Sequence, residues 1–472
     1  MTRALLAAAL VAAALGRCGL PAWLSPKQAE PASLVEWVWS GAVTPDGAVV
    51  KAKVASGRSV RLLVSPREDL AAPIASPPES PDPDQGDVVT FRVSGLRPAT
   101  LYHYAAAAGD EVDFARRGRF RTFPAGPASF TVAFGSCAST GSDSGVWDQI
   151  RELDPLLFLH LGDFHYEDVD DDDPLPYRLA YTRGLTAPRQ AHLYRSLPIA
   201  YVWDDHDFGG NNSDRTSRGR RAVRRVYQEV VPHYPLAAGG GDVPVYQSFH
   251  AGRLRFVVTD LRSERSPPSA ADTAGKTAMG AAQKAWWKRE LVAARDAGEL
   301  VAWVSTNAWI GGADRRNDGW GAYSTERREL AEFLVRERID DLFVLSGDAH
   351  MLAIDDGSHS GYANGGGPGF PVIHAAALDR RGSVKGGPYS EGVHPNRIGR
   401  RGYDGQFMLM TVRDTGGREV CVDWSGRRLP HDGGPLAEMV RWGKCFDLPP
   451  PPLLPLLVGP PPPPSLSAPP AQ

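Results

Sequence analysis

Residues 156–166 read Leu-Leu-Phe-Leu-His-Leu-Gly-Asp-Phe-His-Tyr, a short apolar run that ends abruptly in a carboxylate and a phenol. Other short apolar runs also end in acid, amide, thiol or imidazole groups, and they lie at 130–137, 199–206, 254–260, 301–307 and 342–350. Helical patterns occur between some of them, at 218–231, 281–297 and 325–338. Continuous apolar strands that alternate with helices predict an α/β fold whose sheet is covered on both faces. Reactive groups in such sheets gather beyond the carboxyl ends of the strands, so the polar ends of these runs are the candidate site.

The region before these runs has a different texture. Short strand-like segments are separated by turn-forming residues, and they lie at 34–40, 48–54, 59–64, 88–93, 101–106 and 118–123. Several short strands at this spacing predict a small all-β sandwich, which we place at residues 31–126. Within it, Leu96-Arg-Pro-Ala-Thr-Leu-Tyr102 resembles the tyrosine corner of fibronectin-type-III domains, in which the tyrosine hydroxyl bonds nearby backbone. The α/β domain is expected to follow at 127–446, and its last part returns to strand-like runs.

The composition is that of a soluble globular protein. The chain has 472 residues, of which 42% are hydrophobic and 23% charged, and its formal net charge is -3. That balance argues against a general nucleic-acid binder and against an acidic tail protein, and no nucleic-acid-specific surface is evident. Function therefore has to be inferred from local groups of residues.

Both ends of the chain depart from this composition. Arg3 precedes an apolar run at 4–15 that is too short to span a bilayer, so residues 1–30 are expected to form an export leader. The alternative is a buried N-terminal helix. Leu15-Gly-Arg-Cys18 also resembles a lipobox, which would attach the chain to a membrane through a lipid on Cys18. Pro dominates residues 447–472, for which a disordered extended tail is expected.

The four cysteines fall into three groups. Cys18 belongs to the leader, and Cys137 ends one of the apolar runs. Cys421 and Cys445 are 24 positions apart near the C-terminus and are expected to pair if the chain reaches an oxidising compartment. The alternative is two buried free thiols.

The groups at the strand ends are ligand types with distinct metal preferences. Cys137 offers a thiolate, Tyr166 a phenolate, His350 an imidazole and Asp163 a carboxylate able to bridge two ions. Thiolate and phenolate together suit a ferric ion, whereas carboxylate and amide oxygens suit calcium or another hard divalent ion. A single buried Cys or Tyr is usually only part of a core. Their positions at the ends of different predicted strands favour a metal centre.

Several motifs in order resemble one known family. Phe134-Gly-Ser-Cys137, His160-Leu-Gly-Asp-Phe-His-Tyr166, Trp203-Asp-Asp-His-Asp207 and Ser346-Gly-Asp-Ala-His350 are similar to the motif set of the alkaline phosphatase D family, which belongs to the calcineurin-like metallophosphoesterases. The resemblance covers roughly residues 34–424. It implies a β-sandwich core flanked by helices, preceded by a fibronectin-III-like domain. The family's members often carry a twin-arginine signal, and this chain has none.

The resemblance also implies a role for each site residue. The metal ligands would be Cys137, Asp163, Tyr166, Asp205, Asn307, Asp348 and His350. Cys137, Asp163 and Tyr166 would hold Fe³⁺, and Asp163 would be shared with a second ion such as Ca²⁺ or another divalent metal. His206 would contact the phosphoryl group or protonate the leaving oxygen. Asn211 and Arg262 would bind the phosphate.

These residues predict an exported hydrolase of phosphate esters that uses a metal-activated hydroxide. Metal ions lower the pKa of a bound water and neutralise phosphoryl charge, so no covalent nucleophile is needed. The sequence accordingly offers neither a Walker-type loop nor a Gly-x-Ser-x-Gly elbow. The expected substrate is a small phosphate mono- or diester. One alternative is a phospholipase-type diesterase acting on lipid headgroups, and another is a cell-surface binding protein with a vestigial metal centre.

Overall fold

The computed structural model describes residues 33–314, 318–398 and 402–449. The predicted leader, Cys18 and residues 450–472 of the predicted tail lie outside the described residues. The helices are α1 (Val146–Glu152), α2 (Pro174–Thr186), α3 (Pro188–Ser196), α4 (Asp205–Phe208), α5 (Arg220–Val230), α6 (Ala281–Ala297) and α7 (Ser324–Glu337).

The strands up to the start of the second sheet are β1 (Val35–Gly41), β2 (Ala48–Val54), β3 (Arg61–Ser65), β4 (Ile74–Ala75), β5 (Val88–Val93), β6 (Leu101–Ala108), β7 (Glu111–Val112), β8 (Gly118–Arg121), β9 (Phe130–Gly135), β10 (Leu157–His160) and β11 (Ile199–Tyr201). The later strands are β12 (Gln247–Ala251), β13 (Leu254–Val258), β14 (Leu300–Val304), β15 (Leu342–Ser346), β16 (Met351–Asp355), β17 (Val372–Ala375), β18 (Val393–Pro395), β19 (Gly405–Asp414), β20 (Glu419–Leu429) and β21 (Ala437–Asp447).

Two large sheets form the centre of the molecule. The first has the order β21-β20-β19-β9-β10-β11-β1-β2-β5, and the second has the order β12-β13-β14-β15-β17-β16-β18. Strands β9, β10 and β11 run parallel, and so do β13, β14, β15 and β17. The carboxyl ends of the parallel strands within each sheet therefore meet at one edge.

Alternation along the strands places each sheet between two apolar layers. In β14, Ala302 and Val304 belong to the hydrophobic core that also contains Phe134 of the first sheet. Trp303, between them, packs into a second core with Trp287 of α6, and the two indole rings lie 4.8 Å apart between centroids. Successive side chains of a strand point to opposite faces, so each face has its own apolar set. The predicted α/β architecture is confirmed in this form, as two stacked sheets with helices outside.

The N-terminal strands join this architecture directly. Strands β1, β2 and β5 extend the first sheet, and β1 pairs with β11 through Gly41 and Ile199. A Cβ atom at Gly41 would lie 2.4 Å from the Ile199 carbonyl oxygen, so only glycine allows this approach. Strands β3, β4, β6, β7 and β8 form a separate sheet. The first sheet thus contains strands from both sides of the predicted boundary at residue 126.

The predicted tyrosine hydrogen bond is present. The Tyr102 hydroxyl accepts a bond from the backbone N–H of Arg97 at 3.0 Å. The fibronectin-type-III assignment itself stays a prediction. At the other end of the chain, Cys421 and Cys445 form a disulfide between the paired strands β20 and β21, which confirms their predicted pairing.

Within the described residues, no helix has the length and apolar character needed to cross a bilayer.

Candidate metal centre

The predicted ligands follow the carboxyl ends of the parallel strands. Cys137 comes directly after β9, Asp163 after β10 and Asp205 after β11. Asp348 and His350 follow β15 of the second sheet. The strand-end arrangement predicted from the sequence is therefore observed, and it brings residues from two sheets to one place.

Four of these residues have left-handed backbone conformations. The φ angles are 62° at Cys137, 53° at Asp163, 57° at Asp348 and 46° at His350. Such conformations cost roughly 1–3 kcal/mol each in residues other than glycine, and they cluster at functional sites. They turn the chain sharply after each strand and aim successive side chains at a common point.

The first ligand group joins Cys137, Asp163, Tyr166 and His350. Ligand atoms of Cys137, Asp163 and His350 all lie within 4.8 Å of one another. The Tyr166 hydroxyl donates to Asp163 Oδ2 at 2.7 Å and lies 3.1 Å from His350 Nε2. His350 Nδ1 donates to the Arg381 carbonyl at 2.6 Å, which leaves the Nε2 lone pair free to coordinate.

A second ligand group shares the Asp163 carboxylate. Asp163, Asp205 and His206 offer ligand atoms within 4.8 Å of one another, and so do Asp204, Asp205 and Asp348. Because Asp163 belongs to the first group and to this one, its carboxylate is placed to bridge two ions. The geometry therefore offers His206 as a ligand as well as the predicted proton donor.

Unpartnered carboxylate oxygens show that these residues fit cations. Among the described atoms, the buried oxygens Asp163 Oδ1, Asp204 Oδ2, Asp205 Oδ1 and Asp348 Oδ2 have no hydrogen-bond partner. Burying carboxylate oxygens without partners is costly, and coordination to a cation removes that cost. The thiol, phenol, carboxylate and imidazole donors match the predicted pair of a ferric and a hard divalent ion.

The pKa values in the first ligand group also depend on whether a cation is bound. Burial raises the pKa of the Cys137 thiol well above its usual value, and the Asp163 charge raises it further. Burial and Asp163 likewise raise the pKa of Tyr166, while burial and the Asp205 charge raise that of Asp163. A bound cation would reverse this balance and favour thiolate and phenolate.

The pKa values of Asp204 and Asp205 are shifted in opposite directions, although Arg262 acts to lower both. Burial raises the pKa of Asp204 to about 8, although Arg262 opposes that rise. Burial also acts to raise the pKa of Asp205, but Arg262 and other nearby cations outweigh it and the pKa is lowered. Asp205 is thus the better anionic ligand of the two.

Arg262 lies behind the site. Its guanidinium is fully buried, with Nε donating to Asp204 at 2.6 Å and both terminal nitrogens donating to Asp318 at 3.0 and 2.8 Å. It does not line the cavity at the centre. The predicted direct phosphate contact by Arg262 is therefore not supported by this geometry, because its donors are already used by buried carboxylates.

Asn307 also contacts this buried layer. Its Oδ1 accepts from Arg265 at 3.1 Å, and its Nδ2 lies 3.5 Å from Asp318 Oδ2. The Arg265 bond uses one of the two lone pairs of Oδ1, and the other is not used by a side-chain donor among the described contacts. The predicted ligand role of Asn307 stays a prediction.

A cavity of about 530 Å³ opens onto the two ligand groups. Its lining includes Asp163, Asp348 and His350 together with His206 and Asn211, in keeping with the predicted roles of the last two. The His206 imidazole lies tilted against the Tyr166 ring, with 4.1 Å between the ring centroids, and its Nδ1 donates to Asp168 Oδ1 at 2.5 Å. This bond leaves His206 Nε2 as the other functional atom. A cavity of about 630 Å³ near Lys51 and Glu229 contains none of the predicted site residues.

The cavity also has three cations that sequence reasoning missed. The Arg380 guanidinium lies 3.7 Å from the centre of the Tyr166 ring, and Arg381 and Lys385 line the same cavity. Lys385 Nζ donates to Asp348 Oδ1 at 2.5 Å. Burial acts to lower the pKa of Lys385, but Asp348, Asp318 and Asp205 outweigh it and raise the pKa. They lie in the loop that follows β17, and the sequence pattern does not reveal the path of that loop.

Two acidic residues of the stretch 167–173 pair with the arginine-rich stretch 215–225, whereas Asp168 of the same acidic stretch bonds His206. Asp170 bonds the Arg218 backbone and Asp172 lies 3.3 Å from Arg221. Asp173 caps the N-terminus of α2 by accepting from Leu175 N at 2.9 Å. The acidic stretch 167–173 therefore serves mainly as caps and ion-pair partners.

A known protein family matches the part of the chain that contains this site. The profile of the PhoD-like phosphatase family matches residues 132–374, which is more than half of the chain and contains every predicted site residue. The chain belongs to the PhoD-like phosphatase family.

Two relatives in this family are similar over most of the molecule. Alkaline phosphatase D of Bacillus subtilis (strain 168) is 26% identical over 361 residues, which are 66% of this chain and 60% of that protein. The chain thus aligns with less than two thirds of the length of that relative. A solved structure of PhoD superposes with a TM-score of 0.70 at 18% identity, covering 89% of this chain and 91% of that one. The chain therefore has the PhoD fold.

Proposed function

We propose that this chain is a metal-dependent hydrolase of phosphate esters that acts outside the cytoplasm. The observation that carries the proposal is the pair of ligand groups sharing Asp163, open to a cavity lined by Arg380, Arg381 and Lys385. Membership of the PhoD-like phosphatase family supports the reaction class. The Cys421–Cys445 disulfide supports an oxidising compartment, since such bonds are rare in the cytosol.

The residues divide the chemistry between them. Cys137, Asp163, Tyr166 and His350 would hold Fe³⁺, and Asp163, Asp205 and Asp348 would hold Ca²⁺ or another divalent ion. When bound, such ions lower the pKa of water and neutralise the charge that develops on phosphoryl oxygens. Arg380 and Asn211 would orient the ester for in-line displacement, which depends mostly on positioning.

His206 would supply the proton for the leaving oxygen. Its Nδ1 is held by Asp168, so Nε2 is the atom that can deliver a proton to the cavity. An alkoxide leaves slowly unless it is protonated, and a placed donor typically contributes 10²–10⁴-fold. The buried pair of Arg262 with Asp318 would hold Asp204 and Asp205 in a fixed position relative to His206.

The substrate class proposed is a small phosphate mono- or diester. A charged, polar cavity with cations at its rim suits a phosphoryl group with one small substituent. The N-terminal strands, with their Tyr102 hydrogen bond, fit a fibronectin-III-like domain as part of this proposal. Lipid attachment at Cys18 belongs to the same proposal and can be tested separately by mass spectrometry.

The experiment combines metal analysis with an ester panel. We expect the purified chain to contain iron and to hydrolyse 4-nitrophenyl phosphate or bis(4-nitrophenyl) phosphate, and the ratio of the two rates gives the mono- or diester preference. Cys137→Ala should lose the iron and at least about 100-fold in turnover, because a ligand is removed. The double variant Cys421→Ser/Cys445→Ser is the control and should keep both.

Three outcomes would contradict or redirect the proposal. Unchanged iron content and turnover in Cys137→Ala would show that the ligand group is wrong. Stoichiometric metal without hydrolysis of any ester would instead favour a binding protein. Faster cleavage of phosphatidylcholine headgroups than of nitrophenyl esters would redirect the proposal to a phospholipase.

A further inference from the structure

Lys385 is an unusual neighbour for a metal ligand. Its Nζ donates to Asp348 Oδ1 at 2.5 Å, and the lysine side chain is only 30% exposed. A surface lysine normally directs its ammonium into water, since that group is strongly hydrated. Here the ammonium instead lies beside a buried carboxylate whose other oxygen, Oδ2, has no hydrogen-bond partner among the described atoms.

The loop that carries Lys385 is held on both sides. Ser383 Oγ donates to the Ala349 carbonyl at 3.1 Å, and the Tyr389 hydroxyl donates to the Lys385 carbonyl at 2.8 Å. Gly386 has a φ of 71°, and a Cβ atom there would lie 2.1 Å from the Ile310 carbonyl oxygen. These contacts hold the backbone of the loop in place, within reach of Asp348 for the Lys385 side chain.

The two ligand groups consequently differ in charge compensation. In the group of Asp204, Asp205 and Asp348, the first is bonded to Arg262 at 2.6 Å and the last to Lys385 at 2.5 Å. Asp163 has no ion pair with a lysine or arginine within the described part of the chain. Fixed cations that already pair with the carboxylates reduce the attraction for a further cation.

We propose that Lys385 is a built-in cation of the second ligand group, so that the chain holds one metal ion firmly and takes the second weakly and exchangeably. The firm site is that of Cys137, Asp163, Tyr166 and His350. The weak site is that of Asp205 and Asp348, which share Asp163 with the firm site, and its ligand is a divalent cation such as Ca²⁺. This inference rests on the proposed function, because it assumes that the first group holds an ion.

The test measures metal content and affinity, separately from turnover. Iron-loaded full-length chain is desalted, its metals are counted, and Ca²⁺ binding is then measured by equilibrium dialysis. We expect a single ion to survive desalting in the wild type. Lys385→Met should leave that ion in place and tighten Ca²⁺ binding by at least about tenfold, because a positive charge within a few ångströms is removed.

Two variants serve as matched controls. Lys385→Arg keeps the charge and should leave the Ca²⁺ affinity near the wild-type value. Arg381→Met removes a positive charge from the same cavity, but no bond from the Arg381 side chain to Asp348 is present in the described structure. It should therefore change the Ca²⁺ affinity much less than Lys385→Met.

Several outcomes would overturn the inference. A wild-type chain that keeps two ions through desalting would do so, and that measurement needs no variant. Unchanged or weaker Ca²⁺ binding in Lys385→Met would also overturn the inference. A raised KM in that variant would indicate that Lys385 binds the substrate phosphate instead. If Lys385→Met does not fold, Lys385→Gln takes its place. Absence of any firmly bound ion would instead contradict the proposed function.

Discussion

The guanidinium of Arg262 shows how a residue without substrate contact can control the site. It bonds Asp204 and Asp318, and all three side chains are at most 3% exposed. Breaking a buried ion pair by removing one partner leaves an unpaired buried charge, which typically costs about 3–5 kcal/mol.

We therefore predict that Arg262→Met lowers the free energy of unfolding by about 3–5 kcal/mol, measured by urea denaturation of metal-free protein. Arg218, whose side chain is 79% exposed, is the control. Arg218→Ala should change the unfolding free energy by less than about 0.5 kcal/mol. Equal effects of the two substitutions would show that the Arg262 network contributes no special stability.

His206 gives a prediction that separates a proton donor from a metal ligand. A good leaving group departs without a proton, whereas a poor one needs a donor. His206→Gln should therefore lose about 10²-fold or more in kcat on phenyl phosphate and clearly less on 4-nitrophenyl phosphate. Iron and Ca²⁺ content should stay at the wild-type level.

Asp168 acts through His206 as a positioning residue, since it accepts the Nδ1 proton. Asp168→Asn should reproduce the leaving-group dependence of His206→Gln more weakly, with KM unchanged. Loss of a metal ion in His206→Gln, with equal losses on both esters, would place His206 among the ligands instead.

At the scale of elements, the disulfide between β20 and β21 fastens an edge of the first sheet. Strand β21 lies at that edge and most of its residues are partly or fully exposed. A bridge that closes a loop of 24 residues contributes roughly 3 kcal/mol by restricting the unfolded chain.

The double variant Cys421→Ser/Cys445→Ser should accordingly unfold at lower urea, with a loss of about 2–4 kcal/mol. Reducing agent should lower the wild-type midpoint to that of the variant and leave the variant unchanged. If reductant did not alter the wild-type midpoint, the bridge would contribute nothing to stability.

Helices with clear apolar periodicity were predictable from the sequence. The pattern at 281–297 coincides with α6, and those at 218–231 and 325–338 match α5 and α7 within two residues. Helices α2 and α3 were not predicted, although each begins at a proline, Pro174 or Pro188, which is a residue that favours the first turn of a helix. Strand β21 was not predicted either, since an exposed edge strand lacks an apolar pattern.

At the scale of the whole molecule, the site residues that follow the ends of parallel strands were predictable from the sequence. Groups at strand ends converge in any parallel sheet, so Cys137, Asp163 and Asp205 could be found without coordinates. Lys385 and Asp318 could not, because their places depend on the paths of long loops. Arg262 was predicted to contact the phosphate and is instead buried against carboxylates, because the sequence does not show which strand-end side chains turn inward.

Buried histidines in the core of the molecule make its free energy of unfolding depend on pH. His160 is fully buried between Phe158, Phe164 and Tyr201, and neither ring nitrogen has a hydrogen-bond partner among the described atoms. Burial lowers its pKa to about 3 and that of His374 to about 4. Below pH 6.5 the unfolded chain binds protons that the folded chain does not. Stability is therefore complete above that pH and is lost as the pH falls toward 3.

His160→Phe tests this linkage, because phenylalanine keeps an aromatic ring and cannot be protonated. Between pH 7.5 and 5.0 its free energy of unfolding should fall by about 2 kcal/mol less than that of the wild type. Both proteins are measured metal-free in chelator, so loss of metal at low pH cannot contribute. Poorer packing of the larger ring would change the free energy of unfolding by the same amount at every pH and leave its pH dependence unaffected. Equal slopes for the two proteins would mean that His160 is protonated in the folded state, in contradiction to its burial without partners.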